Sequence, residues 1–164
     1  MTEGTKSYLF GCHQFFVHPL LVLIAWIVEY RKFPRFWEFV CIFIHDIGHY
    51  GTNYLTNDEE KRTHWIKGAR LAKLLFGWKG YHLVCGHTTK SGCVRSKLFI
   101  PDKKSWLYSP DWWLNLNYKI EDFKTEISGA KKWKKAVAEE AKKGFPIGCH
   151  EIYIRNRDAE KSNS

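Results

Sequence analysis

Phe43-Ile44-His45-Asp46-Ile47-Gly48-His49 is the stretch on which the reading of this chain turns. Two apolar side chains lead into an adjacent His-Asp pair, and a glycine follows close behind. Phe43 and Ile44 point to a helix arriving from the core, and Gly48 marks where it loosens or ends. Imidazole suits zinc, iron or manganese, and a carboxylate can bridge two such ions. A lone His-Asp dipeptide arises by chance in many sequences. Its weight depends on what lies around it.

Upstream, Leu20 to Val28 is the most apolar run, and Pro19 stands at a favoured first helical position. A helix is predicted from Pro19 to about Tyr30. The run falls well short of the ~20 residues a membrane span needs. It also lacks the basic start and small-residue cleavage site of a signal peptide, so a buried core helix is expected. A second helix is predicted over about Phe36 to Ile47, after a short connection containing Pro34. Downstream, Thr56 or Asn57 can cap a third helix, with Asp58, Glu59 and Glu60 at its positive end and Gly77 as its stop. A short fourth covers about Gly80 to Gly86. A fifth begins after Gly92 and carries Leu98, Phe99 and Asp102, with Pro101 expected to bend or break it. Tyr118 to Lys143 reads as one long amphipathic helix, interrupted near Ser128-Gly129, with Ile120, Phe123, Ile127, Trp133 and Val137 facing inward. Strand signals are poor. The expected fold class is all-α: a single-domain bundle over 8–145, then a partly flexible C-terminal extension at 146–164. Met1 to Ser7 is expected to be polar and frayed.

The bulk properties fit one domain. The chain has 164 residues, 45% of them apolar, enough to bury a substantial core. Its five cysteines show no CxxC spacing, so they are expected to be reduced and the protein cytoplasmic, with no structural zinc knot. The net charge of +9 is unevenly spread. Residues 1–50 balance at four basic and four acidic; residues 51–110 carry eleven and four; residues 111–164 carry eleven and nine. A positive middle third would attract a phosphate-bearing substrate.

Across the predicted helices stand His18, His45, Asp46, His64, His87 and Asp102. The intervals are 27 residues from His18 to His45, 18 from Asp46 to His64, 23 to His87 and 15 to Asp102. Each is about one helix plus one connection, so every ligand can come from a different helix and converge in the bundle core. The chain thus resembles the HD-domain superfamily of metal-dependent phosphohydrolases. His18, His45, Asp46 and Asp102 match the basic ligand set of that family, and His64 and His87 the extra pair of its two-metal branches. His64-Trp65-Ile66-Lys67-Gly68-Ala69-Arg70-Leu71 is similar to the family's His-x-x-x-Gly-Ala-x-Leu helix. His87-Thr88-Thr89, followed by Ser96 to Lys103, looks like the corresponding region of bacterial HD-type diadenosine tetraphosphate hydrolases, which split a dinucleotide polyphosphate with a two-iron centre. The resemblance spans roughly residues 15–108. Pro19 and Pro101 depart from the pattern, so His13 stands in reserve for His18 and Asp111 for Asp102.

The resemblance implies two divalent or mixed-valent metal ions, iron first, with manganese, zinc or cobalt as alternatives. Asp46 would bridge them, and an activated water would attack phosphorus of a nucleotide or dinucleotide polyphosphate. Asp46 and His49 are the expected catalytic residues, His49 bonding a phosphate or protonating the leaving group. Thr88, Thr89, Lys90 and Lys103 are the expected phosphate contacts, with Arg62 a weaker candidate. Trp112, Trp113 or Tyr108 are candidates for stacking on a base. The alternative within the same ligand set is a di-iron oxygenase acting on a small polar or phosphonate substrate. A third class is a basic module binding nucleic acid or an anionic membrane through Lys131, Lys132, Lys134 and Lys135. Glu139 and Glu140 nearby favour a solvated helix instead. The expected partner is a phosphorylated small molecule, with no membrane and no nucleic acid as main partner.

Overall fold

Helical apolar periodicity, punctuated by glycine and proline, produces eight α-helices among the described residues of this computed structural model, which are 1–11, 13–52, 58–120 and 129–145. They are α1 (Glu3–Phe10), α2 (Val17–Tyr30), α3 (Phe36–Ile44), α4 (Asp58–Phe76), α5 (Trp78–Cys85), α6 (Phe99–Tyr108), α7 (Asp111–Ile120) and α8 (Ala130–Lys142). No strand occurs among the described residues, so the all-α class stands. None of the described helices is long and apolar enough to cross a membrane.

Helix α2 starts two residues before Pro19. The ring costs nothing there, because the first-turn N–H groups have no partner within the helix. Gln14 Oε1 accepts from the N–H groups of Phe16 and Val17 at that end. Helix α3 is started by Glu38, whose carboxylate accepts from the Arg35 N–H at 2.8 Å. It stops at Ile44, earlier than the predicted Ile47. The chain turns at His45-Asp46 into a 3₁₀ turn, Ile47–His49.

That turn is pressed against α4. A Cβ on Gly48 would overlap the His64 carbonyl, and one on Gly68 would lie 2.6 Å from the carbonyl oxygens of Ile44 and His45. Two glycines, each against the backbone of the opposite element, therefore set the distance between the His-Asp turn and the His64 helix. Gly77, with φ +69°, ends α4 and lets α5 fold back upon it.

The principal core joins Val22 and Trp26 of α2, Cys41 and Ile42 of α3, Ala69 and Ala72 of α4, and Leu83, Val84 and Cys85 of α5. Each large side chain so buried contributes roughly 1.5–3 kcal/mol. A second core packs Phe99 and Leu114 against Ala130, Trp133, Val137 and Phe145. Helix α6 lies between the two, on α2 and on α8. The candidate ligands sit where α2, α4 and α6 meet the His-Asp turn.

Several expectations are corrected. The N-terminus is helical over Glu3–Phe10, capped by the Thr2 hydroxyl, rather than frayed. Residues 92–98 form no helix, and α6 begins only at Phe99. Pro101 therefore falls in the first turn, where it lacks nothing the helix needs, and does not break it. The long C-terminal helix is divided. Helix α7 already starts at Asp111, α8 starts after Gly129 (φ +97°), and Phe123 and Ile127 lie outside the described residues. Trp133 and Val137 face the core as expected. The cysteines are not all reduced, since Cys85 and Cys93 form a disulfide with Cα atoms 6.1 Å apart. The connection between them folds back, Ser96 N–H donating to the Gly86 carbonyl and Ser96 Oγ–H to that of Leu83, which closes the two thiols on each other. Cys41 is the free cysteine among the described residues, its thiol pushed up to about 12 by burial and by Glu38. The expected caps Thr56 and Asn57, and the extension 146–164, lie outside the described residues.

Candidate metal centre

The six candidate ligands arrive from five separate segments. His18 lies in the first turn of α2, His45 and Asp46 at the turn ending α3, and His64 in α4. His87 follows α5, and Asp102 lies in the first turn of α6. All six are buried. They meet in two groups that could each hold a metal ion: His18, His45, Asp46 and Asp102, and Asp46, His64 and His87.

In the first group, His18 Nε2 is 3.3 Å from Asp46 Oδ2 and 3.2 Å from Asp102 Oδ1. His45 Nε2 is 3.4 Å and 3.5 Å from the same two oxygens. A tetrahedral ion with bonds of about 2.1 Å holds its ligand atoms about 3.4 Å apart. Both Nε2 atoms are buried, with no hydrogen bond of standard geometry. Orphaned nitrogens at ligand spacing are the pattern a cation resolves.

The second group uses the other oxygen of Asp46. His87 Nε2 lies 3.5 Å from Asp46 Oδ1, His64 Nε2 lies 4.0 Å from it, and the two nitrogens are 3.1 Å apart. Asp46 thus turns one oxygen toward each group. The ring orientations are fixed from behind. Nδ1–H of His45 donates to the Ile42 carbonyl at 2.6 Å, and Nδ1–H of His87 donates to the Val84 carbonyl at 2.5 Å. With the proton held on Nδ1, the neutral ring carries its lone pair on Nε2, toward the centre. Asp102 is oriented likewise: its Oδ2 accepts from Lys103 Nζ at 2.7 Å while Oδ1 faces the histidines.

Charge is balanced inside this cluster. Burial opposes a charged His45, but Asp46 and Asp102 overcome it and lift the imidazole to about 10. His18 rises for the same reasons, against the same burial. Burial would raise both carboxyls, yet His45 and His18 hold Asp46 well below the carboxylate range, and Lys103 with the same histidines does so for Asp102. The two carboxylates concentrate negative charge here, and the histidines and Lys103 balance it. His49 differs. Burial, then His13, pushes its imidazole well below the ordinary value, leaving it neutral, with Nε2 4.0 Å from Asp46 Oδ1.

The cavity over the cluster measures about 30 Å³ and is partly open to solvent. Beyond the ligands it is lined by His13, His49, Thr88, Lys90, Lys103 and Trp106. Thr88 is buried, and its hydroxyl accepts from the Lys90 N–H, which folds the loop after His87 over the cavity. Thr89 belongs to the same loop but does not line it. Trp112, Trp113 and Tyr108 do not line it either, and Trp112 is exposed. Trp106 is the aromatic wall that the sequence reading missed; its spacing of one turn after Asp102 was the available signal. Asp111 is exposed and pairs with Lys134 at 2.6 Å, so it is no substitute for Asp102. His13 does not replace His18 but joins the same cavity. The side chain of Arg62 lies outside what the structure describes.

No family model, curated protein or solved structure matches this chain. Fold and site define an all-α protein whose core contains a buried His/Asp cluster able to hold metal.

Proposed function

We propose that the chain is an HD-type metal-dependent phosphohydrolase acting on a nucleotide or dinucleotide polyphosphate. The observation that carries this reading is the division of Asp46. One oxygen stands at tetrahedral spacing from His18 and His45, and the other faces His64 and His87. That donor set suits two borderline ions such as iron, manganese or zinc. His18, His45, Asp46 and Asp102 would hold one, and Asp46, His64 and His87 the other. Ions bound there supply Lewis acidity toward phosphoryl oxygens and lower the pKa of a coordinated water.

The remaining work falls to the chain. The Ile42 and Val84 carbonyls keep the Nε2 lone pairs of His45 and His87 aimed inward. Lys103 holds Asp102 in place and adds a positive charge beside the reacting phosphate. Thr88 and Lys90 supply contacts for phosphate oxygens at the cavity wall. Thr88, Lys90 and Lys103 share the cavity lining with the ligands, so the phosphate chain is the part of the substrate that these side chains would meet. The run from His87 to Lys103, with its likeness to dinucleotide tetraphosphate hydrolases, supports the polyphosphate class.

The test is elemental analysis of purified protein followed by a phosphate-release screen across nucleotides, with and without oxygen. Two metal equivalents are expected, with turnover unaffected by oxygen removal. Asp46→Ala should lose both ions and lower kcat/KM by about 10³-fold or more, since several kcal/mol of transition-state stabilisation goes with them. Retained activity in that variant would sink the mechanism. Product formed only with oxygen present would replace it with oxygenase chemistry.

A further inference from the structure

One more group of ligand atoms surrounds Asp46. His13, Asp46 and His49 are all close-set, each offering one ligand atom within 4.8 Å of the others. None of the pairs needed for the two-ion reading uses His13 or His49. His13 comes from the segment between α1 and α2, and is 7% exposed. Its Nδ1 is 3.0 Å from Ser7 Oγ, a buried hydroxyl of α1. Its ring centre lies 4.1 Å from that of His49, the two planes tilted by 31°. His49 in turn follows the His-Asp turn and stacks on His64 at 4.9 Å. Helix α1 is tied to this turn, with Gly4 N–H donating to the Thr52 carbonyl and Gly51 N–H to Thr5 Oγ1. The N-terminal helix thus braces the segment that delivers His13 to the cavity.

Two imidazoles and one carboxylate form a donor set for a divalent iron, manganese or zinc ion. Ser7 on the far nitrogen of His13 is the outer partner such ligands use to fix orientation. From this geometry we infer a third divalent-cation site, held by His13, His49 and Asp46 Oδ1, that fills together with the phosphate group of the substrate. The coupling follows from charge. Asp46 and Asp102 are the carboxylates lining the cavity, and Lys103 already pairs with one of them. Two ions leave the site positive, and a third adjoining the second is held only when phosphate oxygens bring compensating charge. His49 then binds a cation that travels with the phosphate, in place of the proton-handling role its sequence position suggests.

The inference rests on the two-ion reading, and metal counting separates the two. The full chain is equilibrated with Mn2+, with and without inorganic phosphate, and bound manganese is counted after removal of free ions. Two ions per chain without phosphate and three with it are expected. His13→Ala should hold two under both conditions. Ser7→Ala, a milder change, should fold as wild type and weaken the third ion by about tenfold or more while keeping two. Anomalous diffraction from crystals grown with Mn2+ and phosphate should put the third peak between His13 and His49. Two ions in wild type under both conditions would overturn the third site and leave the two-ion centre intact. Three ions in His13→Ala would overturn the assigned ligands, and three without phosphate would overturn the coupling. Fewer than two in wild type would remove the underlying centre and the inference with it.

Discussion

Asp46 and His45 are neighbours whose charges depend on each other, and a metal ion bound between them would have to displace the protons that balance them. In the metal-free protein His45 is lifted to about 10 from an ordinary 6.5, because Asp46 and Asp102 outweigh the burial that would lower it. A raised histidine stabilises the fold fully below its unfolded value and loses that contribution as pH rises through the folded one. His18 has the same sign. His49, pushed well below 6.5 chiefly by burial, has the opposite sign, contributing above 6.5 and losing as pH falls. The depressed Asp46 and Asp102 contribute above about 4 and lose in acid. These groups set the metal-free optimum near 6.5, with declining stability on both sides. Metal binds neutral imidazole, so loading must release protons below pH 10 and tighten as pH rises. Melting temperatures of chelated and Mn2+-loaded protein, measured from pH 5.5 to 9, should therefore diverge with increasing pH. A constant gap would mean that these histidines do not exchange protons for metal.

At the scale of elements, the separation between the His-Asp turn and α4 decides whether the second group forms. Gly48 touches the His64 backbone, and Gly68 touches the carbonyls of Ile44 and His45. Gly48→Ala has no flexible side chain to push aside, so the turn and helix must part. A cost of roughly 1–3 kcal/mol is expected, together with, on the two-ion reading, loss of the second metal equivalent before the first, because His64 moves and His18 does not. Thermal unfolding and metal content check this; a variant with wild-type values for both would show that the contact is not structural. This packing also explains what the sequence disclosed. His45, Asp46, His64, His87 and Asp102 were legible because helix-plus-connection intervals and small residues at the contact leave a pattern. The His-Asp turn and the Pro101 turn were misplaced by a few residues because helix ends depend on packing against other elements. His13 was legible only as a substitute for His18. Its place beside His49 depends on α1 folding onto Thr52, a tertiary contact without a local signature. The Cys85–Cys93 bridge was hidden for a similar reason: it rests on the fold-back of the loop after His87.

For the molecule as a whole, the question is what an uneven charge of +9 does. Much of the basic middle third is engaged away from the cavity. Lys67 donates to the Tyr50 carbonyl, Lys73 lies over Trp78, and Arg95 donates to the Gly144 and Phe145 carbonyls. Lys90 and Lys103 are the lysines that line the cavity, and Lys103 is committed to Asp102. Charges farther off act through solvent, where screening sets in over about 8 Å at 0.15 M salt. On the phosphohydrolase reading, the long-range field would draw an anionic substrate toward this half of the molecule, and Lys90 would meet it at close range. Substrates with more phosphates should feel both effects more strongly. On the phosphohydrolase reading, kcat/KM for a nucleoside tri- or tetraphosphate is expected to fall about tenfold between low and high salt, and a monophosphate much less. Lys90→Ala should raise KM for the polyphosphate several-fold, flatten its salt dependence and leave metal content unchanged. Those three readouts distinguish a phosphate contact from a loop residue whose loss merely loosens His87, which would lower metal content as well. Equal salt slopes for mono- and polyphosphate substrates would end the case for electrostatic selection of a polyphosphate.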